Sequence, residues 1–124
     1  MPNNVKQQRR GEEIKKLLSQ AIFNMKDPRV SRMTSVTAVE VSPDMKHARV
    51  RVSVYDADET KRKETVDALN RAAGHLSHEV GRGLLTYSVP AFRFALDDSI
   101  AYSIHIAEVL NSLHKPAKED EDAD

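Results

Sequence analysis

The chain has 124 residues, 40% of them hydrophobic, which suits one domain with a modest core. It contains no cysteine, so disulfides, thiolate metal sites and thiol catalysis are excluded. The sequence begins with polar and charged residues and has no apolar run of about 18 residues, so we expect a cytoplasmic protein that does not associate with membranes.

The charges are sorted along the chain, although the formal net charge is zero. Residues 1–32 carry eight Lys or Arg against three carboxylates, whereas residues 116–124 carry one lysine against five carboxylates. The basic bias of the body suits a polyanionic partner. We therefore predict a domain over residues 1–115 and a disordered, solubilising acidic tail over residues 116–124.

An apolar stripe predicts a first helix between Val5 and Met25. Its members, spaced by three or four residues, are Ile14, Leu17, Leu18, Ala21, Ile22 and Met25. The helix is expected to end before the sequence KDPR, since Pro28 disfavours the helical conformation of Asp27. The opposite face, with Lys6, Arg10 and Lys16, is either solvated or in contact with phosphate groups.

A β-hairpin follows, with its turn at Ser-Pro-Asp-Met. In its second strand an apolar set alternates with a basic and polar set: Ala48, Val50, Val52 and Val54 against His47, Arg49, Arg51, Ser53 and Tyr55. Antiparallel sheets commonly leave one face to water, so solvent exposure is the simpler interpretation of the basic face. Proximity to a ligand is the alternative.

The stretch NRAAGHLSHEVG, residues 70–81, predicts an amphipathic helix that is interrupted by Gly74. Glycine inside a helix costs about 1 kcal/mol relative to alanine. We therefore predict two helices joined at a bend that Gly74 permits. Close packing of the helices at an alanine-lined bend is the favoured explanation of this glycine, and contact with an RNA backbone is the alternative.

A short third strand is predicted where Phe92, Phe94 and Leu96 alternate with Arg93 and Ala95. A last helix, capped by Asp98 or Ser99, is then expected to run to Lys115. Its apolar positions are Ile100, Ile104, Ile106, Ala107, Leu110 and Leu113. The order α-β-β-α-(bend)-α-β-α predicts an α+β domain with helices on one face of a three-stranded sheet.

The sequence favours binding over catalysis. His75 and His78 are three residues apart, but no third residue has the spacing of a metal ligand, so no metal site is expected. Asp97, Asp98 and His105 are better explained by a turn, a helix cap and a partly buried histidine than by acid–base chemistry. There is no phosphate-binding glycine loop, so nucleotide hydrolysis is not supported. No cofactor is expected. Two helices that meet at a tight glycine-bearing junction are instead typical of KH modules, which bind RNA.

Four motifs resemble the bacterial ribosome-binding factor A family. They are KDPRV after the first helix, the hairpin sequence VSPDMKHARVRVSV, the Ala-x-Gly bend, and VPAFRFALDDSIAYSIHI. The resemblance covers about residues 5 to 113 and implies a type II KH-like fold with a mixed sheet. In this fold an Ala-x-Gly kink, here Ala72, Ala73 and Gly74, replaces the GXXG loop.

The resemblance also implies a role without catalysis. Proteins of this family bind the free 30S small ribosomal subunit late in its maturation, assist 16S rRNA processing near the 5′ end, and matter most in the cold. The implied partners are therefore the free 30S subunit and its 16S rRNA, bound by what we take by default to be a monomer. Two alternatives are a general single-stranded RNA-binding KH-like protein and a protein-interaction domain that docks on the ribosome.

Ten residues are candidates for contact with rRNA. They are Arg71, His75, His78 and Arg82 around the bend, Lys46, Arg49 and Arg51 on the hairpin, and Lys6, Arg9 and Arg10 in the first helix. We expect Arg71, His75 and Arg82 to contribute most, because we place them beside the bend.

Overall fold

The computed structural model describes residues 5–84, 88–97, 104 and 106–113. Its regular elements, in chain order, are α1 (Val5–Phe23), β1 (Thr34–Val41), β2 (His47–Val54), α2 (Glu59–Arg71), α3 (Ala73–Gly83) and β3 (Ala91–Leu96). The predicted α+β order is confirmed. Residues 104 and 106–113 are also helical.

The three strands form one mixed sheet in the order β1-β2-β3. β1 and β2 are antiparallel, as the hairpin requires, and β2 and β3 are parallel. The parallel pairing follows from the long connection through α2 and α3, since parallel neighbours need a crossover. The register of β1 shifts between Val36 and Ala38, which marks a bulge in this edge strand.

The predicted alternation of β2 decides which face of the sheet is covered. The side chains of Ala48, Val50, Val52 and Val54 are at most 2% exposed. The first three of them pack in one core with apolar residues of the helices, among them Leu18, Leu69 and Leu76. The helices therefore lie on a single face, and full burial of each such side chain stabilises the fold by about 1.5–3 kcal/mol.

Helix α1 lies close against β1. Ile14, Leu18 and Ile22 of the predicted stripe are buried. Near the start of α1, the side-chain amide of Gln7 donates a hydrogen bond to the carbonyl of Val41 at 2.9 Å. A Cβ atom at Gly11 would stand only 2.8 Å from the carbonyl oxygen of Val39, so this glycine permits the close approach of helix and strand.

The break between α2 and α3 lies at Ala72, the first residue of the predicted kink Ala72–Gly74. Ala72 has φ −92° and ψ 8°, outside the helical region, and its N–H bonds back to the carbonyls of α2. Gly74 already belongs to α3 and has a negative φ. A Cβ atom there would meet nothing within 4 Å. The expectation that Gly74 permits the bend or its close packing is therefore wrong, because the fold would accept a side chain at this position.

The described part of the C-terminal helical segment is exposed. Ile104, Leu110 and Leu113 are 56%, 39% and 52% exposed, so the helical layer of the core comes from α1, α2 and α3. The predicted caps Asp98 and Ser99, together with Ile100, His105 and the acidic tail, lie outside the described residues. In the described parts of the chain, no helix is both long and apolar enough to cross a membrane.

Two glycine-to-alanine changes should have opposite effects on stability. Gly11→Ala forces α1 away from β1 and should lower the free energy of unfolding by about 1–3 kcal/mol. Gly74→Ala fills open space and reduces the freedom of the unfolded chain, so it should raise that free energy by about 0.4–1 kcal/mol. Urea denaturation measures the free energy of unfolding of both variants, provided that their m-values equal that of the original protein. Equal effects of the two changes would contradict the difference in packing described above.

Candidate nucleic-acid interface

The predicted cations separate into groups at different places in the domain. We call the exposed residues beside the α2–α3 break, Arg71, Gly74, His75 and His78, the kink surface. We call the cations where the start of α1 meets the β1–β2 turn and β3 the hairpin-end surface: Lys6, Arg10, Lys46, His47, Arg49 and Arg93. All except Arg10, which is half-buried, are exposed.

The kink surface is anchored to the sheet by two side chains. The amide of Asn70 donates to the carbonyl of Phe94 at 3.1 Å and accepts from the N–H of Phe94 at 2.8 Å. One turn beyond the break, the hydroxyl of Ser77 donates to the carbonyl of Pro90 at 3.0 Å. These bonds fix both helices against the free edge of β3, so the break has a defined position.

The loop after α1 lies near the kink surface. The guanidinium of Arg29 donates hydrogen bonds to the carboxylate of Asp27 and, as the largest cause, lowers the pKa of Asp27 below its usual value. The charge of Arg71 acts in the same direction, which places Arg71 within electrostatic reach of this loop. Arg29 is thus neutralised by Asp27, whereas Arg71 remains exposed.

Arg82 does not lie beside the break. It is at the far end of α3, ten residues from Ala72, which corresponds to about 15 Å along the helix axis. Its guanidinium is 3.6 Å from the carboxylate of Glu79. The prediction that Arg82 lies beside the bend together with Arg71 and His75 is therefore wrong.

The candidate cations of the first helix and those of the hairpin, which were predicted as separate sets, lie close together at the hairpin-end surface. Lys6 and Arg10 of α1 line a hollow together with Met45, which lies in the hairpin turn, and Pro90. The turn itself is held by Asp44, whose carboxylate accepts from the Ser42 hydroxyl at 2.6 Å and from the N–H of Lys46 at 3.0 Å. The hydrogen bond from Ser42 is the main cause that lowers the pKa of Asp44. Arg9 is exposed and borders a different hollow, between α1 and Gly83.

Not every cation of this region is unpaired. Arg51 lies 3.6 Å from Glu40, and Arg10 lies 3.7 Å from Glu13. Arg93, which was not among the candidates, stands directly beside Arg49 in the β2–β3 register. Its alternation with Phe92 and Phe94 already placed it on the face opposite the core, and this was the signal that could have added it to the candidates.

No group of three or more potential metal ligands occurs among the residues that the structure describes. Those described residues offer exposed guanidinium, ammonium and imidazole groups on two surfaces. Such groups bind phosphates of a nucleic-acid backbone without a cofactor.

Comparison with known families agrees with this chemistry. The family model described as ribosome-binding factor A matches residues 6–110. The chain belongs to the ribosome-binding factor A family. A ribosome-binding factor A from Caldanaerobacter subterraneus subsp. tengcongensis is 42% identical over 113 residues, which are 90% of this chain and 92% of the relative.

Two structural neighbours share the fold. The solution structure of a Thermotoga maritima protein, proposed to be a ribosome binding factor A, has a TM-score of 0.67 and 34% identity over 77% of this chain and 90% of its own. A homology model of the Thermus thermophilus ribosome binding factor A, fitted into a cryo-EM map of its complex with the 30S subunit, has a TM-score of 0.57. It is 26% identical over 68% of this chain and 88% of its own. The type II KH-like arrangement expected from the sequence is thus confirmed for this family member.

Loss of the Asn70 side chain should loosen the kink surface. Asn70→Ala leaves the backbone groups of Phe94 without their partner and should lower the free energy of unfolding by about 1–3 kcal/mol. Asn70→Asp keeps the acceptor and loses the donor, so it should also destabilise. Amide hydrogen exchange of Phe94 measures the local effect, and exchange at Val50 in the sheet centre is the control. Unchanged protection of Phe94 in the alanine variant would contradict the anchoring role of Asn70.

Proposed function

We propose that this chain binds the free 30S subunit late in its maturation, through 16S rRNA, and assists processing near the 5′ end of that RNA. Its effect is greatest at low temperature, and it acts as a monomer in the cytoplasm. One observation carries the proposal. A neighbour with the same fold, 26% identical to this chain, has been fitted into a map of a 30S complex.

The two exposed cationic surfaces support RNA as the contact. Phosphate contacts supply a large, salt-dependent part of the affinity of proteins for nucleic acids. The hairpin-end surface and the kink surface together can engage a folded RNA at more than one place. Such a protein changes the stability of RNA conformations by binding and needs no reaction of its own.

Gly74 supports a close contact at the kink surface. Among the described residues, no atom lies within 4 Å of a Cβ placed at Gly74, so packing does not require glycine there. Helix propensity alone would favour alanine at this position. A partner that approaches the backbone closely would account for the missing side chain. Helix α3 also begins without a side-chain cap, so the N–H groups of its first turn can face an anion at this surface.

Sedimentation tests the proposal as a whole. The tagged protein should co-migrate with free small subunits in a sucrose gradient at low salt, should be absent from intact ribosomes, and should dissociate as the salt concentration rises. Protein that stays at the top of the gradient at every salt concentration would overturn the proposal. Tight binding to short unstructured oligonucleotides, without subunit binding, would point to a general single-stranded RNA-binding protein instead.

Gly74→Leu tests the kink surface. The leucine side chain projects into open space and should leave the melting temperature within a few degrees of the original value. It should weaken binding to free subunits about tenfold or more, which is at least about 1.4 kcal/mol. Thr60→Leu, at an exposed position at the other end of α2, is the matched control and should bind normally. Normal subunit binding by Gly74→Leu would exclude a close contact at this position.

A further inference from the structure

The face of the sheet opposite the helices is only partly covered. At one half of this face Ser53 and Asp97 are 1% and 2% exposed, and Asp97 is hydrogen-bonded to Thr37 at the β1 bulge. At the other half the side chains are open to solvent. We call this exposed half the arginine face, and its members are His47, Arg49, Ala91, Arg93 and Ala95.

Two arginines lie side by side on the arginine face. Arg49 of β2 is in register with Arg93 of the parallel strand β3, so both side chains leave the same face of the sheet. Neighbouring strands are about 4.8 Å apart, so the two arginines start from adjacent backbone positions and their long side chains can both reach one group above the sheet. Like charges directly opposite one another destabilise a sheet. Two positive charges of the described sheet therefore share one part of this face.

No carboxylate among the described residues neutralises this pair. Glu40 of β1 is in register with Arg49, but its carboxylate lies 3.6 Å from the guanidinium of Arg51 instead. Arg49 and Arg93 have no ion pair within the described parts of the chain. On this face Arg93 has the small residues Ala91 and Ala95 as its neighbours along β3, and Arg49 has His47 and Arg51 along β2. The charge of this site thus suits an anionic partner.

We propose that Arg49 and Arg93 together bind one phosphate group of the ribosomal RNA backbone, so that the arginine face is the part of the hairpin-end surface that holds this phosphate. This assignment rests on the proposed binding of the small subunit. Guanidinium groups bind phosphate oxygens through two parallel hydrogen bonds, and two such groups surround one phosphate. A phosphate bound between the two arginines offsets the repulsion between their positive charges.

A double-mutant cycle tests whether the two arginines share a phosphate. The constants for binding to purified free small subunits are measured as a function of salt for Arg49→Gln, Arg93→Gln and the double variant. A shared phosphate predicts that each single variant binds about tenfold more weakly and that the double variant is hardly weaker than either. It also predicts that the salt slope falls by about one in all three. Arg32→Gln, at the opposite end of β1, is the matched control and should bind within twofold of the original protein.

Arg93→Glu separates a binding role from a structural one. A glutamate beside Arg49 replaces repulsion with attraction across the strands, so the melting temperature of the free protein should rise or stay the same while subunit binding falls. Arg49→Lys with Arg93→Lys keeps the charge but loses the paired hydrogen bonds, so it should bind with intermediate affinity.

A photo-crosslink identifies the partner. A diazirine side chain introduced at Ala95, two residues beyond Arg93 on the arginine face, should form crosslinks to ribosomal RNA in the complex. Crosslinks only to ribosomal proteins would overturn the assignment, as would arginine variants that bind with unchanged affinity and salt slope. Failure of the original protein to bind subunits would overturn the proposed function and this assignment together. If the original protein binds subunits and the arginine variants bind them with the same affinity and salt slope, only the assignment of the phosphate site would be overturned.

Discussion

The two-residue alternation of β2 is the constraint on which the structure depends. β2 is the central strand, bonded to β1 on one side and to β3 on the other. Its valines must be removed from water, and this requirement draws all three packed helices to one face. The same alternation then sends Arg49 and Arg51 to the opposite face. One sequence pattern thus produces both the apolar core face and the cationic face of the sheet. A shift of one residue in register would turn the arginines toward the core and the valines toward solvent.

Much of the fold could be predicted from periodicity, because burial on one side of each element sets the spacing of its apolar residues. The stripe of α1 and the alternation of the strands were predicted correctly. The helix break was also predicted correctly, within the kink Ala72–Gly74, but the role given to Gly74 was wrong, because the backbone leaves the helical region at Ala72. The β1 bulge also escaped prediction, since one extra residue in a strand leaves little trace in an alternating pattern.

The candidate site was less predictable than the fold. Sequence neighbours were assumed to be spatial neighbours, which failed for Arg82 because α3 carries it away from the break. The pairing of Arg49 with Arg93 depends on the register of two parallel strands that are 44 residues apart in sequence. No local pattern encodes that register. It is set by how α2 and α3 cross over the sheet, including the contact of Asn70 with β3.

The Asn70 contact also bears on how the protein avoids self-association. β3 is an edge strand, and Phe94 directs its N–H and C=O groups away from β2, where a strand of another molecule could pair with them. The amide of Asn70 occupies both groups, as a further strand would. At the other edge, the bulge in β1 interrupts the regular ladder. Each border of this small sheet therefore carries, among the described residues, a local feature that opposes the addition of a further strand.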